Sequence, residues 1–457
     1  VFIDGKSEHA TKTRKDALVV RGGTLFNGQT TIANGAVSIE GDVIRAAGPD
    51  ASGPLNAEIV EFPAGSWIVP GFIDLGTTLG LGGNPTPVGM NVKLGERLLG
   101  TDKAIALARE GGVTTALLAG GDGPAPVVAF KLSDSARAVR DPVAIRMTVR
   151  DGSAGSVAGL KSALQSGKTY AESWTKFDAA QIEYEKLKKE YDAAKAKADA
   201  AKKPEEKKPD APASGSGSAP KDAPKEAPKK SFEDDEPSQA TEKKEEAKPA
   251  DAKTATPAAP TVPPEPKAPT KPSVVETLEP YRALFAGKLA LMIEARRLDA
   301  IRTALAVAKD EFKLNPIILG ADDAFRKPDL LAAGPTPTVV GPMMVREIDR
   351  EIVNLPQILA GRGVPLGFQS QAGTGVKFLP EAVRYSVRYG LGVEEALKAL
   401  TSGPAKFLGI DDRVGSLTPG RDADLTVLSG PPFLASTKVL AVLADGKWVF
   451  RAGAEKR

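Results

Sequence analysis

The chain has 457 residues, 41% of them apolar and 26% charged, which is ordinary for a globular protein and enough for one or two full cores. Its 61 basic and 58 acidic residues leave a net charge of +3, too weak a bias over this length to indicate nucleic acid or an anionic membrane as partner. There is no cysteine and a single histidine, His9, which excludes disulfide frameworks, thiolate metal sites, histidine triads and multi-histidine metal centres by counting alone.

No run of about 18 apolar residues occurs, so no membrane span is expected. The first residue is valine, which reads as a processed chain or a fragment, and no signal peptide is visible. Compartment stays open; the absence of cysteine is compatible with a bacterial extracytoplasmic (periplasmic) protein.

The chain opens with short alternating strands at 17–22, 24–27, 36–40 and 43–47, joined by turns such as Asn34-Gly35 and Gly41-Asp42. From residue 68 the texture changes. Apolar, β-branched runs at 68–75, 113–119, 127–132, 143–149, 289–293, 316–319, 338–341 and 365–368 predict eight strands. Helical patterns at 101–110, 298–312, 321–333, 348–360 and 381–389 fall between several of them. Between 127 and 143 there is little room for a helix. In the 348–360 pattern, Arg346 and Arg350 interleave with Glu347, Asp349 and Glu351 as a solvated face.

Residues 170–201 read as a charged helix that runs into Lys/Pro/Ala/Glu-rich text up to Lys271. Such text has almost no apolar bulk to offset its ordering entropy, so it reads as a disordered insertion or tether. Removing about 90 inserted residues from 67–402 leaves about 245, close to the roughly 250 of a (β/α)₈ barrel. Alternating strands return at 424–428, 438–443 and 448–451, with a turn at Ala444-Asp445-Gly446. The expected architecture is therefore α/β: a TIM-like barrel over 67–402, inserted in a small composite β-sandwich made from 1–66 and 403–457. The helix and low-complexity insertion at 170–273 interrupts the barrel.

Particular segments resemble a known family. The run Ile68-Val69-Pro70-Gly71-Phe72-Ile73-Asp74-Leu75 resembles the first barrel strand of the metal-dependent amidohydrolase superfamily. Glu110-Gly111-Gly112-Val113-Thr114-Thr115 is similar to its second strand. The tail ALKALTSGPAKFLGIDDRVGSLTPGRDADLTVL, followed by Gly446-Lys447-Trp448-Val449, is similar to its closing helix and returning sandwich strands. The texture is nearest to imidazolonepropionase-like members. The resemblance implies a metal-bearing barrel with a composite sandwich, and in active members zinc or a similar divalent ion that activates water against a carbon–nitrogen bond.

Carried over residue by residue, the resemblance puts Gly76 and Thr78 where an active member has His-x-His. Glu294 stands at the fifth-strand histidine, Gly320 (within Leu319-Gly320-Ala321) at the sixth-strand histidine, and Gln371 at the final aspartate. Lys131 is the one lysine that would correspond to the carboxylated bridge of some members. Glycine offers no ligand, a threonine hydroxyl is a poor one for zinc, and a carboxamide cannot act as a base.

Other readings weigh little. Asp74 and Glu294 remain weak candidates for carboxylate chemistry, beside Asp322 and Asp323, which can also cap the helix that follows. Ser370 lacks a base and a G-x-S-x-G context. The glycine clusters at 79–87 and 119–126 lead into no phosphate-binding helix motif.

The sequence thus predicts an amidohydrolase-fold protein whose metal site is lost: a pseudoenzyme acting as a structural, partner-binding or ligand-binding subunit with no cofactor. Its partner would be an active copy of the fold or itself. The alternative is a hydrolase of non-peptide, cyclic-amide carbon–nitrogen bonds with a histidine-free site.

Overall fold

The computed structural model describes residues 2–3, 6–7, 17–79, 89–92, 94, 103–119, 123–134, 137–201, 262–371 and 373–453. His9, most of the low-complexity stretch and most of the two glycine clusters lie outside these residues. The chain divides into one unit of Val1–Thr175 with Pro272–Arg457 and another of Lys176–Lys271. No helix among the described residues is long and apolar enough to cross a membrane.

After a short antiparallel pair, Phe2–Ile3 with Lys6–Ser7, the first unit continues with seven strands: β1 (Ala17–Arg21), β2 (Thr24–Phe26), β3 (Thr31–Ala33), β4 (Ala36–Glu40), β5 (Val43–Gly48), β6 (Glu58–Glu61) and β7 (Trp67–Pro70). Eight barrel strands follow, as β8 (Phe72–Thr77), β9 (Val113–Ala119), β10 (Ala125–Lys131), β11 (Ala138–Thr148), β12 (Ala290–Ala295), β13 (Pro316–Gly320), β14 (Thr338–Val340) and, after a hairpin of β15 (Val345–Ile348) and β16 (Glu351–Asn354), β17 (Leu366–Phe368). The tail adds β18 (Leu425–Leu428), β19 (Val439–Ala444) and β20 (Lys447–Arg451).

Both chain ends build the sandwich. One sheet runs β5-β4-β1-β6; the other runs β20-β19-β18-β7-β2-β3, so the C-terminal strands β18–β20 are continuous with the N-terminal β7, β2 and β3. Alternation explains the packing: Leu18 and Val20 of β1 and Val37 and Ile39 of β4 meet Leu425, Val427 and Leu443 in one core. The β19–β20 turn needs left-handed backbone at Asp445 (φ 51°) and Gly446 (φ 72°), and a Cβ on Gly446 would sit 1.8 Å from the Gly41 carbonyl oxygen.

The barrel sheet runs β8-β9-β10-β11-β12-β13-β14-β17. The run at 68–75 divides at Gly71: Ile68 and Val69 pair in the sandwich while Phe72 onward opens the barrel. The strands are not all parallel. β10 is antiparallel to both β9 and β11, because six or fewer residues separate them and a parallel crossover needs a dozen or more. The remaining neighbours pair in parallel.

Inside the barrel, Ile73, Leu75, Leu117, Met292, Ile317, Leu319 and Val339 form a core that Leu408, Ile410 and Val414 close from below. Their sequence neighbours Phe72, Ile293 and Ile318 face outward, into a shell beneath the helices.

The helices are α1 (Lys103–Glu110), α2 (Ala154–Ala201), α3 (Glu279–Phe285), α4 (Leu298–Leu305), α5 (Asp329–Ala332), α6 (Leu355–Ala360), α7 (Leu379–Arg388), α8 (Val393–Leu400) and α9 (Ser402–Phe407). Helix α2 begins well before the charged stretch at 170 and spans 48 residues, about 70 Å at 1.5 Å per residue. Beyond Leu305 the predicted 298–312 helix continues as a π-helical turn, Ala306–Glu311. The predicted 321–333 helix shrinks to a 3-10 turn and α5, divided at Pro328.

The helix expected over 348–360 is corrected more deeply. Its first half is the β15–β16 hairpin, whose turn puts Asp349 (φ 52°) and Arg350 (φ 66°) in left-handed backbone. Helix starts only at Leu355, with the Asn354 side chain accepting from Gln357 N and Pro356 in the first turn. Arg346 and Arg350 are therefore hairpin residues, and not a helix face.

Candidate functional site

The C-terminal ends of the parallel strands converge at one barrel mouth, and their inward positions there are charged. On β11, Ala144 belongs to the barrel interior, so strand alternation places Arg146 inward one step nearer the mouth; on β12, Met292 places Glu294 likewise. The Arg146 guanidinium is ion-paired to Glu294, whose other oxygen accepts from Arg296 Nε at 3.0 Å. Arg296 also reaches Asp322 Oδ2 at 3.0 Å and Gln371 Oε1 at 2.8 Å, and Arg346 donates to the Asp322 carbonyl.

Glu294 is 16% exposed, Arg146 21% and Arg296 37%, so the network is partly shielded from water. Burial alone would raise the Glu294 pKa, but the two guanidinium groups outweigh it and hold the carboxyl below its ordinary range.

The expected ligand positions fall around this network without joining into one cluster. Gly76 lies on β8 against Gln369, where an added Cβ would meet Gln369 Oε1 at 2.7 Å. Thr78 is half-buried just beyond the strand. Gly320 ends β13 with φ 88°, and a Cβ there would meet Arg296 Cγ at 2.8 Å. Gln371 is exposed, left-handed (φ 52°) and bonded to Arg296. Among the described residues no three His, Cys, Asp or Glu side chains are grouped so as to hold a metal ion.

Asp74 is buried in the seam that closes the barrel. Its Oδ1 accepts from Gly76 N at 3.1 Å and Ser370 N at 3.0 Å, and Gln371 N donates to the Gly76 carbonyl at 2.8 Å, tying β8 to the chain leaving β17. Ile73 and Leu75 face the barrel interior, so Asp74 faces away from it. Burial pushes its carboxyl up to about 6 in spite of those hydrogen bonds and the Ser370 side chain, and Oδ2 has no hydrogen-bond partner.

Asp322 and Asp323 provide no capping bond: the 3-10 turn after β13 has Asp323 at its N-cap without a side-chain hydrogen bond, while Asp322 serves Arg296.

Lys131 is not at the mouth. Because β10 runs antiparallel, its last residue lies beside Thr115, near the start of β9, at the opposite end of the barrel. There the fully buried Nζ is ion-paired to Asp422, to Asp445 at 2.7 Å and to Asp424 at 3.1 Å, all from the C-terminal segment that builds the sandwich. Arg413 and Arg137 complete the cluster on Asp422 and Asp445. Burial by itself would lower the Lys131 pKa, and three carboxylates outweigh it, holding that pKa above the ordinary value.

Sequence reasoning missed Arg146, Arg296 and Gln369 at the mouth and the aspartates around Lys131. The available signal was a charge interrupting an apolar strand run, in VAIRMT and in APVVAFK.

This architecture has known counterparts. The model of the "Amidohydrolase family" matches residues 67–449. Over 71 residues the chain is 38% identical to Adenine deaminase 2 of Jannaschia sp. (strain CCS1), a match spanning 16% of this chain and only 11% of that protein's length. Among solved structures, an amidohydrolase from Thermotoga maritima MSB8 superimposes with a TM-score of 0.60 at 20% identity, covering 95% of this chain and 100% of that one. An uncharacterized protein superimposes at 0.50 with 16% identity over 95% and 100%. At such identities the structural likeness is one of fold. The family match, covering the barrel and most of the C-terminal sandwich strands, is the broader finding: the chain belongs to the amidohydrolase family.

Proposed function

We propose that this chain is a non-hydrolytic member of its family, a pseudoenzyme that serves as a structural, ligand-binding or partner-binding subunit for an active copy of the fold or for itself. The observation that carries the reading is the state of Glu294, the one carboxylate among the inherited ligand positions. It is engaged on both oxygens by Arg146 and Arg296. A divalent cation seated there would face two guanidinium charges, and Gly76, Thr78, Gly320 and Gln371 add no imidazole or carboxylate. These residues do not fit the ion that the family implies, so no hydrolytic step is derived through it.

The test is turnover. Cyclic amides and dipeptides offered with added zinc or manganese are expected to be hydrolysed no faster than in buffer. Turnover that disappears with chelator and in Glu294→Ala contradicts the proposal.

A second reading, hydrolysis of cyclic-amide carbon–nitrogen bonds without histidine, draws on Asp74, whose carboxyl titrates near 6. It requires a buried group on the outer side of β8 to reach substrate. Its signature is turnover indifferent to chelator and lost in Asp74→Asn.

A further inference from the structure

A cavity of about 820 Å³ opens at the end of the barrel opposite the mouth. Its walls are the end of α3, the start of β12, residues 313–315 ahead of β13, and the end of α9. Four cationic side chains line it, namely Arg140, Lys288, Lys313 and Lys406, and no carboxylate does. Lys313 donates to the Asp310 carbonyl at 2.6 Å. Arg140, Lys288 and Lys406 have no side-chain hydrogen bond or ion pair among the described residues, in a protein that pairs most of its inward-facing charges. Between the cations the lining is apolar, from Phe285, Leu289, Leu314 and Phe407.

Four cationic residues border one concavity with no carboxylate among its lining residues, so an anion placed there would meet positive charge from several walls. The volume lies within the roughly 300–1,000 Å³ of small-molecule sites. We propose that this cavity binds a multiply charged, phosphate-bearing small molecule, its phosphates on Arg140, Lys288 and Lys406 and its organic part against Phe285 and Phe407. The proposal is independent of whether the mouth is catalytic.

The probe is ATP, titrated calorimetrically into the full chain at low ionic strength. Binding is expected, weakening as salt is raised. In Lys288→Glu/Lys406→Glu the dissociation constant is expected to rise on the order of tenfold or more, as two charge-assisted contacts are lost. Both lysines are exposed, so the variant's melting temperature should match the parent's. Arg140→Met, carrying one change on a different wall, should weaken binding in the same direction. No binding at millimolar ATP, or binding equally tight in both variants, overturns the proposal.

Discussion

The two ends of the barrel carry inverted versions of one motif. At the sandwich end Lys131 is fully buried within three carboxylates, two of which also pair with Arg413 and Arg137; at the mouth Glu294 is clasped by two guanidinium groups that water still reaches, one of which also pairs with Asp322. The sandwich-end cluster joins two layers, since Lys131 and Arg137 come from the barrel segment and Asp422, Asp424 and Asp445 from the returning chain. The mouth cluster links neighbouring strands and loops of the barrel alone. Depth of burial sets the weight of each: a buried charge stripped of its partner cannot be rescued by solvent, whereas a half-exposed one partly can.

Replacing the buried cation should cost most. Lys131→Met leaves three aspartates crowded without their buried counter-charge, with only Arg413 and Arg137 remaining on Asp422 and Asp445, and a loss of about 3–5 kcal/mol in unfolding free energy is expected by denaturant titration. A loss under about 1 kcal/mol would mean the cluster does not join sandwich to barrel.

Asp74 tests the seam between the two ends through pH. Its folded pKa of about 6 lies above the ordinary 3.8, so its contribution is most favourable below about pH 4 and is lost as pH rises through 6. Ionising it in place costs about 3 kcal/mol, at 1.36 kcal/mol per unit. Asp74→Asn keeps an oxygen for Gly76 N and Ser370 N but cannot ionise. Its stability relative to the parent should improve by about 2–3 kcal/mol between pH 4 and pH 8. Parallel stability curves would refute the buried, raised carboxyl.

Glu294→Gln should destabilise by about 1–2 kcal/mol, less than the Lys131 change because the mouth is partly solvated. An equal or larger loss would erase the contrast between the two ends. The smallest effect belongs to the β15–β16 turn, where Arg350→Gly relieves left-handed backbone and should gain about 0.5 kcal/mol.

Much of the fold was legible because barrel strands are buried on both faces and so read as continuous apolar runs, as in VTTALLA and PIILG. The sequence did not disclose the antiparallel direction of β10, showing only that little room for a helix separates the runs at 127–132 and 143–149; the structure leaves six residues between the strands, too few for a crossover. The β15–β16 hairpin was not legible: REIDREIV offers charges at helical spacing, and its turn uses Asp349-Arg350 where glycine or asparagine would have announced it.

At the site, the residue types at 76, 78, 320 and 371 could be read directly. Which charges occupy the mouth could not, because Arg146 and Arg296 reach Glu294 across strands whose pairing only the fold supplies. The end of the barrel that Lys131 occupies was not legible for a related reason: strand direction, and not residue type, decides which end a terminal side chain faces.

The proposal that the Arg146–Glu294–Arg296 network leaves the barrel mouth without a bound metal ion is tested most directly by metal content. The purified chain, incubated with zinc or manganese and dialysed extensively, should retain less than about 0.1 ion per chain, and Glu294→Gln should not change that value. Retention near one ion per chain, lost in Glu294→Gln, would contradict it and return the barrel mouth to metal chemistry.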